Sequence, residues 1–160
     1  MKIYFKIFLL VLSTFIIFSY SDKPKEIKTD NYSGIIFDKH PFNRSESFMP
    51  TEVEIHRLET LLEKRLVAVF GSDSDMSKES YGFKTKIIED ITKYKRRYFG
   101  IVNTVKKKII YVEFVHPDII TNDSWKSPKW GMDGGGYLFW SIRFNMESEL
   151  FYDLWINAKI

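Results

Sequence analysis

The sequence predicts an α+β domain in which one amphipathic helix lies across a sheet of roughly four antiparallel strands arranged as a meander. Two observations carry this expectation. A single long stretch has apolar residues at spacings of three and four, and everything after about residue 94 changes to strand-like runs of Ile, Val, Tyr, Phe and Trp separated by turn residues. One helix laid on one face of a meander is the simplest arrangement that buries both apolar stripes.

Ahead of the domain, residues 1–21 have the form of an export signal. Lys2 and Lys6 precede a short apolar run at 7–18, which ends in Ser19, Tyr20 and Ser21. The run is short for a bilayer-spanning helix, and its small-x-small ending suits a signal peptidase. The expected location is therefore periplasmic or extracellular, without stable membrane insertion after cleavage; an uncleaved N-terminal tether is the alternative. Removing Lys2 and Lys6 from the 24 basic residues leaves 22 against 21 acidic ones, so the net charge falls from +3 to +1. A balance so close to neutral gives no argument for nucleic acid. The chain has no cysteine, which excludes disulfides, thiol catalysis and a lipid-modified cysteine.

Residues 22–47 read as a polar tether broken by Pro24, Gly34 and Pro41, with one candidate edge strand around Ile35, Ile36 and Phe37. The single domain is expected over 48–160. Its helix begins after Pro50 and Thr51, and Ile55, Leu58, Leu62, Leu66 and Val69 form the buried stripe. Thr51 and Glu54 have the spacing of a capping box, and Gly71 stands where a helix end favours left-handed backbone. Glu52, His56, Arg57, Glu59, Glu63 and Lys64 are expected on the solvated side. A polar loop over 72–80 and a short second helix over 84–92, with Ile87, Ile88 and Ile91 apolar, follow. Strands are then expected at 94–103, 107–115, 137–144 and 151–157.

This order of elements resembles that of cystatin-like and NTF2-like domains. The stretch YKRRYFGIVN at 94–103, KIIYV at 108–112, DGG at 133–135 and YLF at 137–139 also resemble a group of uncharacterised exported bacterial proteins with a Y-x-R-x-Y-x-G and DGG pattern. The resemblance covers the C-terminal half. It implies export and the fold, carries no activity, and implies a glycine at the hairpin tip where this chain has Lys106 and Lys107.

Strand alternation singles out a candidate surface. With Ile110, Val112, Phe114, Trp140, Ile142, Phe144, Leu154 and Ile156 directed at the helix, Tyr111, Glu113, Tyr137, Phe139, Arg143, Asp153 and Trp155 face away. An aromatic face with interspersed charge suits recognition of a protein or a glycan, the alternative being that the segment at 22–49 or a symmetry partner covers those rings as a second small core. Trp125 and Trp130 in the loop at 116–135 are either further binding candidates or a plug folded back over the open end of the sheet. A binding or inhibitor-like module is the leading expectation. The alternatives are an enzyme with an NTF2-like pocket between helix and sheet, with Glu113 or Asp153 at its mouth, and a structural envelope component.

Other motifs give weaker signals. Asp73, Asp75, Ser77 and Glu79 alternate like calcium ligands, but Lys78 and Lys84 break the pattern. His40, His56 and His116 have no metal-ligand spacing, no nucleophile elbow is present, and no cofactor is expected. The glycines at 134–136 read as a turn into a strand. Lys93, Lys95, Arg96 and Arg97, with Lys106, Lys107 and Lys108, form one basic concentration, expected to solubilise a hairpin.

Overall fold

The computed structural model describes residues 24–42, 46–71 and 78–158. The export signal and most of the calcium-like loop lie outside the described residues. Among the described residues the architecture is α+β, with two helices on one face of a mostly antiparallel, seven-stranded open sheet. Among the described residues no helix is long and apolar enough to cross a membrane.

Strands β1 (Lys25–Lys28), β2 (Ser33–Phe37) and β3 (Ser47–Phe48) precede helices α1 (Glu52–Val69) and α2 (Lys78–Asp90). Strands β4 (Lys95–Val102), β5 (Lys108–Val115), β6 (Phe139–Asn145) and β7 (Leu150–Ile156) complete the chain. The order across the sheet is β1-β2-β4-β5-β6-β7, with β3 on β4 beyond the end of β2. The expected four-strand meander is β4 to β7. The segment read as a tether departs from expectation, because it supplies three strands rather than one. Moreover, β2 is an inner strand, pairing antiparallel with β1 and parallel with β4. Ile35, Ile36 and Phe37 form a continuous apolar run because both faces of β2 are covered. The lysines belong to β1, the true edge.

Helix α1 forms where its periodicity placed it. The Thr51 hydroxyl accepts from the Glu54 amide at 3.2 Å while the Thr51 amide donates to Glu54 Oε2 at 2.8 Å. Gly71 follows the C-cap at φ +71°. Ile55, Leu58, Leu62 and Leu66 are buried as expected, whereas Glu59, expected in solvent, is buried beside them and accepts the Tyr98 hydroxyl at 2.8 Å. Helix α2 starts earlier than its apolar residues indicate, and Ile87 is its buried anchor.

The helix-side core joins α1 and Ile87 of α2 to Ile36, Tyr98, Ile110, Val112, Phe114, Trp140, Ile142 and Phe144. Trp140 stacks on Phe114 at 3.8 Å between ring centroids. Gly100 is required by close approach, since a Cβ there would collide with the Phe48 carbonyl of β3. The hairpin tip lacks the glycine that the family resemblance implies, and Lys106 adopts the left-handed backbone itself, at φ +62°. Two acceptor bonds to Asn103 Oδ1, from the amides of Val105 and Lys107, hold the turn.

Candidate functional site

The outer face of the sheet is divided in two. The half nearest the start of β4 is sealed by the loop at 116–135, which is held by a buried arginine. Arg97 is fully buried and ion-paired to Glu113 at 2.5 Å. It also donates to the carbonyls of Trp130 at 2.9 Å, Ser127 at 2.7 Å and Pro128 at 3.2 Å. Its guanidinium lies over the rings of Phe37, Phe99 and Trp130. Burial lowers the Arg97 pKa, and burial raises that of the Glu113 carboxyl by more than the arginine's charge draws it back. Trp125, only 7% exposed, packs with Ile35, Phe37 and Phe99, and Trp130 stands edge-on to Phe139 at 5.6 Å. Lys126 ties the loop to Glu26 of β1 at 2.9 Å.

The expected basic hairpin is therefore not a surface feature along its length. Arg96 and Arg97 are both buried, on opposite faces, because adjacent strand residues point opposite ways.

The other half of the outer face is open. A cleft of about 400 Å³ has Ile101, Ile109, Tyr111 and Arg143 on its floor, with His40 and Phe42 on one side and Tyr152 on the other. His40 meets Phe99 and Tyr111 edge-on, at 4.8 and 5.2 Å between centroids. Its pKa is lowered to about 4, first by burial and then by the charges of Arg97 and Arg143, so the imidazole is neutral near pH 7. Phe42 is 77% exposed. Arg143 donates to Asp153 Oδ2 at 3.0 Å, although Asp153 is not itself among the residues that line the cleft.

A β-bulge shapes this rim. The register between β6 and β7 shifts between Ser141 and Arg143, so Trp155 sits opposite Ser141 and Tyr152 opposite Arg143. The extra residue, Asp153, takes left-handed backbone at φ +51°. Tyr152 and Trp155, three apart, thereby share the outer face, and Phe151 turns in against Phe144.

Of the residues singled out from sequence, Tyr111 and Arg143 lie together in the cleft. Trp155 is 55% exposed on the same face but outside the cleft lining. Phe139 is buried beneath Trp130, and Trp125 and Trp130 form the cover instead of projecting from it. Tyr137 precedes the strand, in a 3-10 turn at Gly136–Leu138, and packs against the helix-side core. It is therefore not on the outer face, and the phase of β6 begins at Phe139. Glu113 and Asp153 also belong to the outer face, so neither stands at the mouth of a pocket beneath the helices. His40, Phe42 and Tyr152 escaped sequence reasoning. Only the exposed aromatic following Pro41, in a stretch otherwise polar, gave a local signal.

Among the described residues, no group of three or more His, Cys, Asp or Glu could hold a metal ion. No family model matches the chain, and comparison with curated proteins and with solved structures gave no match.

Proposed function

We propose that the protein is a small binding module that recognises a neutral glycan in the outer-face cleft. The observation that carries this reading is the open cleft lined by Tyr111, Tyr152, His40 and Phe42 around Arg143, which is paired with Asp153 outside the lining. Rings supply flat apolar area against sugar faces at low entropy cost, and a coupled donor and acceptor suits hydroxyl groups. The opposite charges of Arg143 and Asp153, with His40 neutral, leave the site without a strong preference for an ion. The strands from β4 to β7 span about 14 Å at about 4.8 Å per spacing, which suits a short oligosaccharide laid across them. Export through the signal at 1–21 would bring the module to such ligands.

The test is calorimetric titration with tetramers of β-linked glucose and of N-acetylglucosamine. Saturable binding that is lost in Tyr111→Ala and Tyr152→Ala, with thermal stability retained in the latter, supports the proposal. Absence of binding to both tetramers, or binding unchanged by both substitutions, refutes it.

A protein partner is the second reading, favoured by Leu150, Tyr152 and Trp155, which line the outer side of edge strand β7 with Leu150 60% exposed. Cross-linking that captures a partner through β7, and that Trp155→Ala abolishes without loss of glycan binding, would select it.

A further inference from the structure

Among the described residues the strand order ends in two edges, β1 and β7, and they are built differently. The β7 edge is interrupted by the bulge at Asp153, whereas β1 pairs with β2 in unbroken register from Lys25↔Ile36 to Lys28↔Ser33. Space is open on both sides of β1. A cleft of about 530 Å³ lies between it and the start of α1, walled by Glu52, Val53 and His56. Another, of about 340 Å³, lies on the outer face beside Lys95 and Trp125. Val53 is 79% exposed.

The backbone groups on this free edge are fixed by the pairing with β2. The Thr29 amide donates to the Tyr32 carbonyl at 2.8 Å, so Thr29–Tyr32, Ile27–Gly34 and Lys25–Ile36 are the hydrogen-bonded pairs. The amides and carbonyls of Glu26 and Lys28 therefore point away from β2, toward the open side. Ile27 belongs to the helix-side core, which directs the Glu26 and Lys28 side chains to the outer face. Glu26 holds Lys126 through Oε1 and leaves Oε2 unused, and Lys28 is exposed and pairs with no carboxylate among the described residues. A second β1 laid antiparallel along this edge must keep the same faces, which allows registers centred on Glu26, Ile27 or Lys28. Centred on Glu26 or Lys28, the pair on the axis sets two like charges opposite each other. Centred on Ile27, Glu26 of each copy stands opposite Lys28 of the other, and each such pair exchanges both of its N–H···O bonds.

We propose that the protein pairs with a second copy of itself along β1, antiparallel and centred on Ile27, so that the two sheets continue as one about a twofold axis. Edge lysines deter pairing when nothing opposes them; here Glu26 of each copy opposes Lys28 of the other and selects the register. On the helix side the cleft beside Val53 meets its counterpart, and the Val53 side chains flank the Ile27 pair. The strand is short and Pro24, ahead of it, has no N–H to extend the ladder, so the interface is small and the dimer dissociates readily. The inference does not rest on the glycan reading, whose cleft has its floor on β4, β5 and β6.

The experiment is sedimentation velocity of the full chain from micromolar to near-millimolar concentration, with two charge variants run alone and mixed. Glu26→Lys sets lysine opposite lysine and Lys28→Glu sets glutamate opposite glutamate, both at exposed positions, so each alone should self-associate about tenfold more weakly than the parent. Mixed in equal amounts, the two variants oppose lysine to glutamate at both pairs, and association should return to within about threefold of the parent. A second arm uses the absence of cysteine from the chain. Ile27→Cys meets itself across the axis at a non-hydrogen-bonded position, with about 4.5 Å between Cα atoms, and should form an intermolecular disulfide with oxidised glutathione. Lys28→Cys stands opposite Glu26 and should remain largely monomeric under the same treatment. The proposal is overturned if the parent is monomeric over the whole range, if the mixture gains nothing over the single variants, or if Ile27→Cys cross-links no faster than Lys28→Cys. Self-association that both single variants leave intact comes from elsewhere in the chain and overturns it equally.

Discussion

Replacing Arg97 with methionine tests whether the buried guanidinium fastens the loop at 116–135 to the sheet. Methionine retains much of the apolar stem against Phe37 and Phe99 but removes the charge. Glu113 is then left as a buried carboxylate without its cation, and the carbonyls of Ser127, Pro128 and Trp130 lose their shared donor. Breaking a buried pair on one side costs about 3–5 kcal/mol, because the remaining charge is stranded in a poorly solvated site. Against a total stability on the order of 5–15 kcal/mol, that is a large fraction. With a urea dependence of about 2 kcal/mol per molar, the unfolding midpoint should fall by roughly 2 M. Fluorescence reports the change, since Trp125 and Trp130 both sit in the loop. The double variant Arg97→Met with Glu113→Gln removes the stranded charge and should recover about half of the loss. A cost below about 1 kcal/mol in the single variant would refute this account. So would a double variant no more stable than the single one, since the loss would then not come from an uncompensated carboxylate.

Four other outcomes follow from the same structure. Tyr98→Phe, which withdraws a hydroxyl from buried Glu59, should cost about 1.5–3 kcal/mol in denaturant unfolding. Gly100→Ala should cost about 1–3 kcal/mol by displacing β3, and should increase hydrogen exchange at the Val102 amide, which donates to the Glu46 carbonyl at 2.8 Å. Thr51→Ala should lower stability by about 1 kcal/mol through loss of the α1 cap, seen as a reduced melting temperature. For His40, the unfolded ring titrates near the ordinary histidine value of 6.5 and the folded ring at about 4, so the unfolded chain binds the extra proton between them. The resulting stabilisation is complete above about pH 6.5 and is lost as the pH falls toward 4, by about 1–2 kcal/mol after allowance for partial exposure. Urea midpoints at pH 7 and 4.5 should converge in His40→Gln relative to the parent, and an unchanged pH dependence would count against the assignment.

The parts legible in the sequence are those set by local periodicity. The 3.6-residue stripe, Thr51 with Glu54 and Gly71 define α1 within one chain segment, and alternation separates Ile110, Val112 and Phe114 from Tyr111 and Glu113. What was illegible depends on distant partners. Ile35, Ile36 and Phe37 become an inner strand only because β4 returns parallel to them after two helices. Glu59 has the local setting of a solvated glutamate, and only the Tyr98 hydroxyl and Arg96 across the core make its burial tolerable. In the cleft, Tyr111 and Arg143 obeyed alternation, whereas Tyr152 reached the outer face through a bulge that resets the phase. Asp153, a non-glycine residue in left-handed backbone, carries no unmistakable sequence mark of that bulge.

The adjacent pair Arg96 and Arg97 links these observations. A strand directs consecutive side chains to opposite faces, so two buried arginines in succession require a covering layer on each side of the sheet. Each is matched by one carboxylate: Glu59 from α1 on the helix side, and Glu113 from β5 beneath the loop at 116–135. Neither pair improves on apolar packing as a source of stability, because desolvation offsets most of the attraction. Their effect is geometric, since a guanidinium with directed donors accepts few arrangements of the chain above it. Arg97 uses those donors on loop carbonyls and closes its half of the outer face, leaving the cleft around Tyr111 as the open half. Arg96 and its partner Glu59 both line a cavity on the helix side, and the Nε of each arginine is buried without a hydrogen-bond partner. The two faces therefore differ in what covers them: Arg97 fastens a loop over its half of the outer face, while Arg96 is held beneath α1 by Glu59.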